Sequence, residues 1–521
     1  MSPVIARDNR YNRHFYLSQG RHSRNPLGLP LELTHTLDRY NVPIYTIVTM
    51  TNWLPDISRG SGPVYLRLAD SIESAISSGA LPAGSKLPPQ RNLAYDIGVT
   101  IGTIGRAYAL VHERGLVAGE VGRGTYVLNR SETQPGEQID PLTVSLGGTR
   151  IQDAPANKIR FDTTAAPDLG QGKIIAGILA EIGEQHLAEI SSYSRSFPRN
   201  WFEAGRLWLA RSGWTPEVEN IVPTLGAHAA AIAVIAAVSA PGDKIVFEDL
   251  TYTQVSRSAR LLGRRTLTVD SDKLGVIPED FERLCQQQHP KIAFLMPTVH
   301  NPTLAIMPYE RRAAIAAIAR KHGVWLIEDD LYGGMADDDT PLLASIAPDR
   351  TFLVNGLSKS VAAGVRGGWV ACPPHFAQRI KVTHRMITGG LPFILAETCA
   401  RLVEGGMAHE IRKASVEELS RRVRLAREQL QGFDFESHPH APFLWLKLPE
   451  PWMSGTFKNA AFRDGVLVDD EDEFKSARGE RPYHRVRIGF SSPKTGQELI
   501  SGLMILRRLL ENGGSAYDGE I

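Results

Sequence analysis

Cysteine is scarce in this sequence. Three residues, Cys285, Cys372 and Cys399, in a chain of 521 are too few and too scattered for a disulfide scaffold, and none has metal-ligand spacing, so no metal is expected. Net charge is equally thin. The 58 Lys and Arg against 57 Asp and Glu leave a formal +1, which excludes a globally basic coat for nucleic acid and confines any such contact to a local patch. No apolar run approaches the ~20 residues that cross a bilayer, so no membrane association is expected. The N-terminus has no basic region followed by an apolar core and a small-residue cleavage site. A cytoplasmic location in a reducing environment fits these absences.

What the sequence does hold, at 42% hydrophobic residues, is enough apolar material for two or three packed domains. Residues 1–49 are rich in Arg, Asn and His without periodicity, which predicts a disordered extension. Order begins around Met50, a second candidate start; N-terminal mass spectrometry of the native protein distinguishes this from a flexible basic arm. From Val64 to about Ser78 apolar residues recur at helical spacing (Leu66, Leu68, Ile72, Ile76). A second helix from Gln90 to Ile97 breaks at Gly98, and Thr100 is a good N-cap for a third helix through Val111. The segment Gly115–Val127 reads as two short strands around a Gly-rich tip carrying Arg123 and Gly124. Residues 60–128 thus spell a helix-turn-helix with a wing.

A polar stretch, 129–158, has the composition of a linker. Beyond it helical and strand patterns alternate, with strands at 244–247, 292–296, 324–327, 351–354 and 368–371, which predicts an α/β domain over 159–388 built on a mostly parallel sheet. Residues 389–512 read as a smaller α+β domain. No internal repeat is present.

In open α/β sheets ligands collect at the carboxyl ends of strands, and several such ends carry chemistry. Gly226-Ala227-His228 opens a helix whose free N–H groups suit a phosphate, although an Ala-rich helix start alone is weak evidence. Tyr252 could stack on a flat ring, or belong to the rim. Asn301 could donate to a phenolic oxygen, or mark a turn with Pro302. Asp329, with Tyr332 behind it, could keep a pyridine nitrogen protonated, or be one of a solvated acidic cluster. Lys359 follows them in Asn355-Gly-Leu-Ser358-Lys359, with Arg366 downstream. A buried lysine beside other cations loses its proton readily enough to form an imine.

In that order these residues resemble the fold-type-I aminotransferases, from about Arg160 to Leu510, with Val486-Arg487-Ile-Gly-Phe completing the match. The resemblance implies pyridoxal 5′-phosphate held as a Schiff base on Lys359. It pairs Asp329 with the pyridine nitrogen, Asn301 and Tyr332 with the phenolic oxygen, and Tyr252 with the ring face. Ser358, Arg366 and the turn at Gly226, Ala227 and His228 would take the phosphate, and Arg487 the carboxylate of an amino acid. There are departures. Gly356 stands where Ser or Thr is usual, removing one phosphate hydroxyl. Leu304 replaces a glycine, Ala363 a proline, and His228 an amide or hydroxyl side chain.

The small domain resembles the GntR-type winged helix-turn-helix through Gly84-Ser-Lys-Leu-Pro-Pro-Gln-Arg91-Asn-Leu-Ala and Arg106-Ala-Tyr108. The resemblance implies that Arg91 binds phosphate, that Thr100, Thr103 and Arg106 face the major groove, and that Arg123 and Gly124 reach the backbone or minor groove of double-stranded operator DNA. Ile101 occupies a place where arginine is common. The bland alternative is a protein-interaction module.

Together the halves are similar to the MocR/GabR-type transcriptional regulators. That implies a homodimer whose cofactor domain senses pyridoxal phosphate, an amino acid or an amine. Two alternatives stay open: an active aminotransferase with an accessory DNA-binding domain, and a sensor of pyridoxal phosphate alone. The departures around Lys359 favour sensing over turnover.

Overall fold

The computed structural model describes residues 32–37, 43–48, 53–55, 63–82, 85–113, 116–120, 124–127, 148–150, 155–193, 196–476 and 482–512. The chain divides into two compact units, Met1–Val144 and Ser145–Ile521.

In the first unit, helices Val64–Ser77, Gln90–Asp96 and Ile101–Glu113 are followed by an antiparallel hairpin, Val117–Glu120 with Gly124–Val127. The periodicity of the sequence is cashed in a small core. Leu68 and Ile72 of the first helix, Leu93 of the second, and Ile104, Ala107, Tyr108 and Val111 of the third are buried together. Tyr108 fixes the third helix against the segment before the second by donating to Pro88 O at 2.7 Å. Leu87 N donates to Thr125 O and Val127 N to Ser85 O, so the wing is stitched to the chain preceding the second helix. In the segment expected to lack regular structure, Glu32–Leu37 pairs antiparallel with Pro43–Val48. That corrects the reading of 1–49 in part: Ile44, Tyr45, Thr46, Ile47 and Val48 are β-formers whose signal the surrounding polar residues obscured.

The second unit is built on a seven-stranded sheet in the order Ile221–Thr224, Gly368–Ala371, Thr351–Gly356, Trp325–Asp329, Ile292–Leu295, Lys244–Glu248, Arg265–Val269. Gly368–Ala371 runs antiparallel to both neighbours and the other pairings are parallel. Helices cover both faces, which is why strands such as Thr351–Gly356 are buried along their whole length. The edge strand Ile221–Thr224 is the one implied by a strand end before Gly226, and Arg265–Val269 at the other edge is additional to the strands read from the sequence. A four-stranded antiparallel sheet of Phe435–Ser437, Phe443–Lys447, Arg485–Gly489 and Asp469–Asp470 forms the smaller body.

The domain limits at 129–158, 159–388 and 389–512 need revision. Ile159–Arg160 pairs parallel with Val466–Leu467, and Phe161 is buried in the small body's core, so this body takes both ends of the unit. Phe393, Ala396, Ala400 and Leu402 pack instead with Leu353, Leu357 and Trp369 of the large body. The long helix Met407–Gln429 then crosses over: Ala408 and Ile411 belong to the large body's core, Val423 and Ala426 to the small one's. Sequence order cannot show this, because burial partners are chosen in three dimensions. Cys285, Cys372 and Cys399 are buried and unpaired. Among the described residues no helix is long and apolar enough to cross a membrane and no cluster could hold a metal.

Candidate functional site

A cleft of about 590 Å³ opens at the carboxyl ends of the parallel strands, lined by Gly226, Ala227, His228, Tyr252, Asn301, Asp329, Tyr332, Ser358, Lys359 and Arg366, with Met296 and Leu331. All the cofactor-contact residues expected from the sequence therefore come together in one place. They do so because all but Arg366 end or follow a parallel strand of the same sheet, and Arg366 stands just before the antiparallel strand Gly368–Ala371, whose start lies at that same edge.

At its floor the Lys359 ammonium donates to Thr164 Oγ1 at 3.1 Å, and Thr164 Oγ1 lies 2.9 Å from the Tyr332 hydroxyl. Burial brings the Lys359 pKa down to about 8, and the nearby positive charges of Arg487, Arg150 and Arg366 work in the same direction, against Asp329. About a tenth of the amine is thus a free base at pH 7, against well under a thousandth for an ordinary lysine. Asp329 is pushed up to about 7, chiefly by burial, while the backbone N–H of Leu331 donates to its Oδ1 at 3.2 Å and pulls the other way. Tyr332 is raised to about 12 by burial.

At the other end of the cleft, helix Gly226–Val238 begins with no side-chain cap and no acidic residue in its first turn. Its first N–H groups and its dipole are available to an anion. Gly226 has φ +81° and faces the backbone of Arg366, where an added Cβ would lie 3.6 Å from Arg366 O. Arg366 itself adopts φ +51°, a conformation that costs a non-glycine residue about 1 kcal/mol and that the packing must hold. His228 is kept neutral by burial and the charge of Arg366; its ring meets Tyr252 edge-on at 6.0 Å. The His228 Nδ1 is buried without a partner among the described residues, an orphaned polar atom that a phosphate oxygen would satisfy.

Two departures from the expected pattern acquire reasons. A Cβ on Gly356 would stand 2.6 Å from Gly367 O, so no hydroxyl-bearing residue fits there. Leu304 takes φ +65°, the conformation for which glycine is the ordinary choice.

Arg487 is buried, but it does not wait with open hands as expected. Its Nη1 donates to Asn301 Oδ1 at 2.8 Å, and its Nη2 to Asp162 O at 3.2 Å and to the Asp469 carboxylate. This pairing leaves the Asn301 amide N–H group free to donate, as its expected role requires. Asp469 also accepts a two-pronged bond from Arg150 at 2.9 and 2.8 Å. Thr164, Asp469 and Arg150 escaped the sequence reading: none lies in a motif, and Arg150 was assigned to the linker.

On the helix-turn-helix, Arg91, Thr100 and Arg106 are exposed and Thr103 is half-buried. The Thr100 hydroxyl accepts from Thr103 N at 3.2 Å, the N-cap anticipated for the third helix. Thr100, Thr103 and Arg106 recur every three residues along the side of the helix that borders the buried stripe of Ile104, Ala107 and Val111. Gly124 opens the second wing strand, and Arg123 lies outside the described residues.

A helix-turn-helix with a wing and a doubly covered sheet presenting a buried lysine to a phosphate-ready helix start define a DNA-binding module fused to an aminotransferase-type domain. Residues 206–503 match the model of aminotransferase class I and II, and residues 64–127 that of the bacterial regulatory proteins of the gntR family. The chain belongs to the aminotransferase class I and II family, joined to a GntR-type domain, and its cofactor is pyridoxal 5′-phosphate. It is 29% identical to the HTH-type transcriptional regulator YdeF of Bacillus subtilis over 88% of this chain and 97% of YdeF. It is 26% identical to the pyridoxine biosynthesis transcriptional regulator PdxR of Corynebacterium glutamicum, over 62% of this chain and 69% of PdxR. The α-aminoadipate aminotransferase LysN of Thermus thermophilus shares the fold at a TM-score of 0.63 and 17% identity, covering 71% of this chain and 96% of that one.

Proposed function

We propose that this chain is a cytoplasmic, pyridoxal-phosphate-dependent transcriptional regulator of the MocR/GabR type, which binds operator DNA through its N-terminal unit and senses an amino acid or amine in its C-terminal one. The observation that carries this reading is the presence in one chain of a winged helix with a capped third helix and a cleft with a buried, readily deprotonated Lys359. The relation to YdeF and PdxR supports it.

The cofactor, when bound, supplies an aldehyde that links to an amine and a ring that withdraws electrons. The protein's share is to hold and tune it. Lys359 offers the amine; the helix start at Gly226, with Ser358, His228 and Arg366, holds the phosphate; Asp329 keeps a proton at the pyridine nitrogen; Asn301 and Tyr332 donate to the phenolic oxygen; Tyr252 covers the ring. Arg487 recognises a carboxylate. On the DNA side Arg91 meets a phosphate, Thr100, Thr103 and Arg106 face the major groove, and Arg123 and Gly124 of the wing reach the backbone or minor groove. Exposed apolar side chains in two groups, Leu187, Ile190 and Tyr193 near one helix pair and Val382, Met386 and Ile387 on another helix, support a homodimer.

The test is binding of the cofactor-loaded protein to DNA upstream of its own gene across a salt series, with and without candidate amino acids. Affinity that falls steeply with salt and changes with an amino acid is expected; binding indifferent to salt, with no footprint, would sink the reading. A second reading, a working aminotransferase with an accessory DNA-binding domain, is favoured by the coexistence of Lys359, Asp329 and Arg487 around one cleft. Sustained keto-acid production from an amino donor would decide for it.

A further inference from the structure

This inference rests on the reading of the cleft as a site for an amino acid or amine, and concerns how a carboxylate is told from its absence there. Arg487 already has an anionic partner. Asp469, 1% exposed, accepts from Arg487 Nη2 and, in a two-pronged bond, from Arg150. Two guanidiniums share one carboxylate; Arg487 Nε is buried with no partner among the described residues, but a two-pronged bond to a second carboxylate also needs Nη2, and Asp469 holds it. The Arg487 guanidinium lies 4.8 Å from the Phe474 ring and 5.6 Å from the Phe443 ring. These rings hold it in place, so the cheap response to a new anion is a change of partner and not a movement of Arg487.

Arg150 stands at a mechanically significant point. It follows shortly after Ser145, the first residue of this unit. The residue before it is clamped by the same acidic stretch: Thr149 N donates to Glu473 Oε2 at 2.9 Å, Thr149 Oγ1 to Asp470 at 2.5 Å, and Lys458 Nζ donates to Thr149 O. The end of the linker is therefore fastened to the strand and turn that carry Asp469.

We propose that Asp469 is an internal occupant of the carboxylate-recognising Arg487, which a ligand's carboxylate must displace, and that Arg150 carries this exchange into the linker. A ligand bearing a carboxylate loosens the grip of Asp469 on Arg487 and changes its hold on Arg150. An amine without a carboxylate leaves the triad as it stands. The site thereby couples the chemical class of the ligand, α-amino acid against simple amine, to the tether of the DNA-binding unit.

The experiment uses the full-length, cofactor-loaded protein titrated with L-alanine and with ethylamine, followed by the cofactor's absorbance. In Asp469→Asn, alanine binds about tenfold tighter because the internal competitor has lost its charge, and ethylamine is unchanged. In Arg150→Ala, Asp469 is left wholly to Arg487, and alanine binds more weakly relative to ethylamine; the loss of positive charge near Lys359 shifts both amines together and cancels in that ratio. Alanine, and not ethylamine, speeds tryptic cleavage after Arg150 in the wild type. Arg150→Ala keeps the test open should Asp469→Asn fail to fold. A merely structural role would shift both ligands alike in both variants, and that result overturns the proposal. Cofactor-loaded protein that responds to neither amine also overturns it while leaving the cofactor reading intact. Absence of cofactor absorbance in the wild type brings down both.

Discussion

Lys359 and Asp329 are titrating groups held far from their ordinary ranges by the same burial. Because the amine must be a free base to react, uptake of pyridoxal phosphate by the apo-protein is expected to accelerate about tenfold per pH unit up to about pH 8 and to level off above it. A profile still climbing toward about pH 10, the ordinary lysine value, would contradict the burial argument. Asp329 acts on stability. Its folded pKa, about 7, exceeds the unfolded value of about 4, so the folded apo-protein binds the proton more tightly. Stability then falls as pH rises between those values and is flat beyond them. Glu328, also raised to about 7, gives the same trend; the difference between the melting profiles of the wild type and Asp329→Asn isolates the share of Asp329. At Gly356 the clash with Gly367 O implies that Gly356→Ser, which installs the family's usual hydroxyl, lowers stability by about 1–3 kcal/mol and does not tighten cofactor binding. Urea melts and cofactor titration of that variant check both halves.

Among the elements, the third helix of the DNA-binding unit was legible almost to its ends, Ile101–Glu113 against an expected start after Thr100. Its signals are local: a hydroxyl cap, a 3.6-residue apolar period, a preceding Gly98 at φ +65°. Thr100→Val should cost about 1 kcal/mol through loss of that cap. Ile101 is 49% exposed at the start of this helix. Ile101→Arg restores the cation common at that place, and should steepen the salt dependence of operator binding by about one unit of log–log slope if it reaches a phosphate. An unchanged slope would place residue 101 away from the DNA backbone. The helix Met407–Gln429 teaches the opposite lesson. Its service to two cores was not readable, because Ala408 and Val423 carry the same apolar signal whichever body they join.

For the whole molecule, the exposed Leu187, Tyr193 and Met386 are expected to be covered by a second copy. Leu187→Asp together with Met386→Asp should convert a dimer to a monomer in sedimentation, and reduce operator affinity by more than tenfold by uncoupling two half-sites. A wild-type protein that sediments as a monomer would remove the homodimer from the proposal.

The sequence by itself determined the two-part organisation, the helix-turn-helix and the cleft-lining set from Gly226 to Arg366. Each of these rests on residues close in the chain or on strand ends that a parallel sheet necessarily gathers at one edge. Only the tertiary structure decided that Ile159–Arg160 joins the small body, that Gly356 is forced by a backbone approach, and that Arg150 and Arg487 converge on Asp469. The pairing of Ile159–Arg160 and the bond from Arg150 to Asp469 join segments more than three hundred residues apart, and the approach at Gly356 depends on fractions of an ångström; neither distance is written in periodicity or spacing.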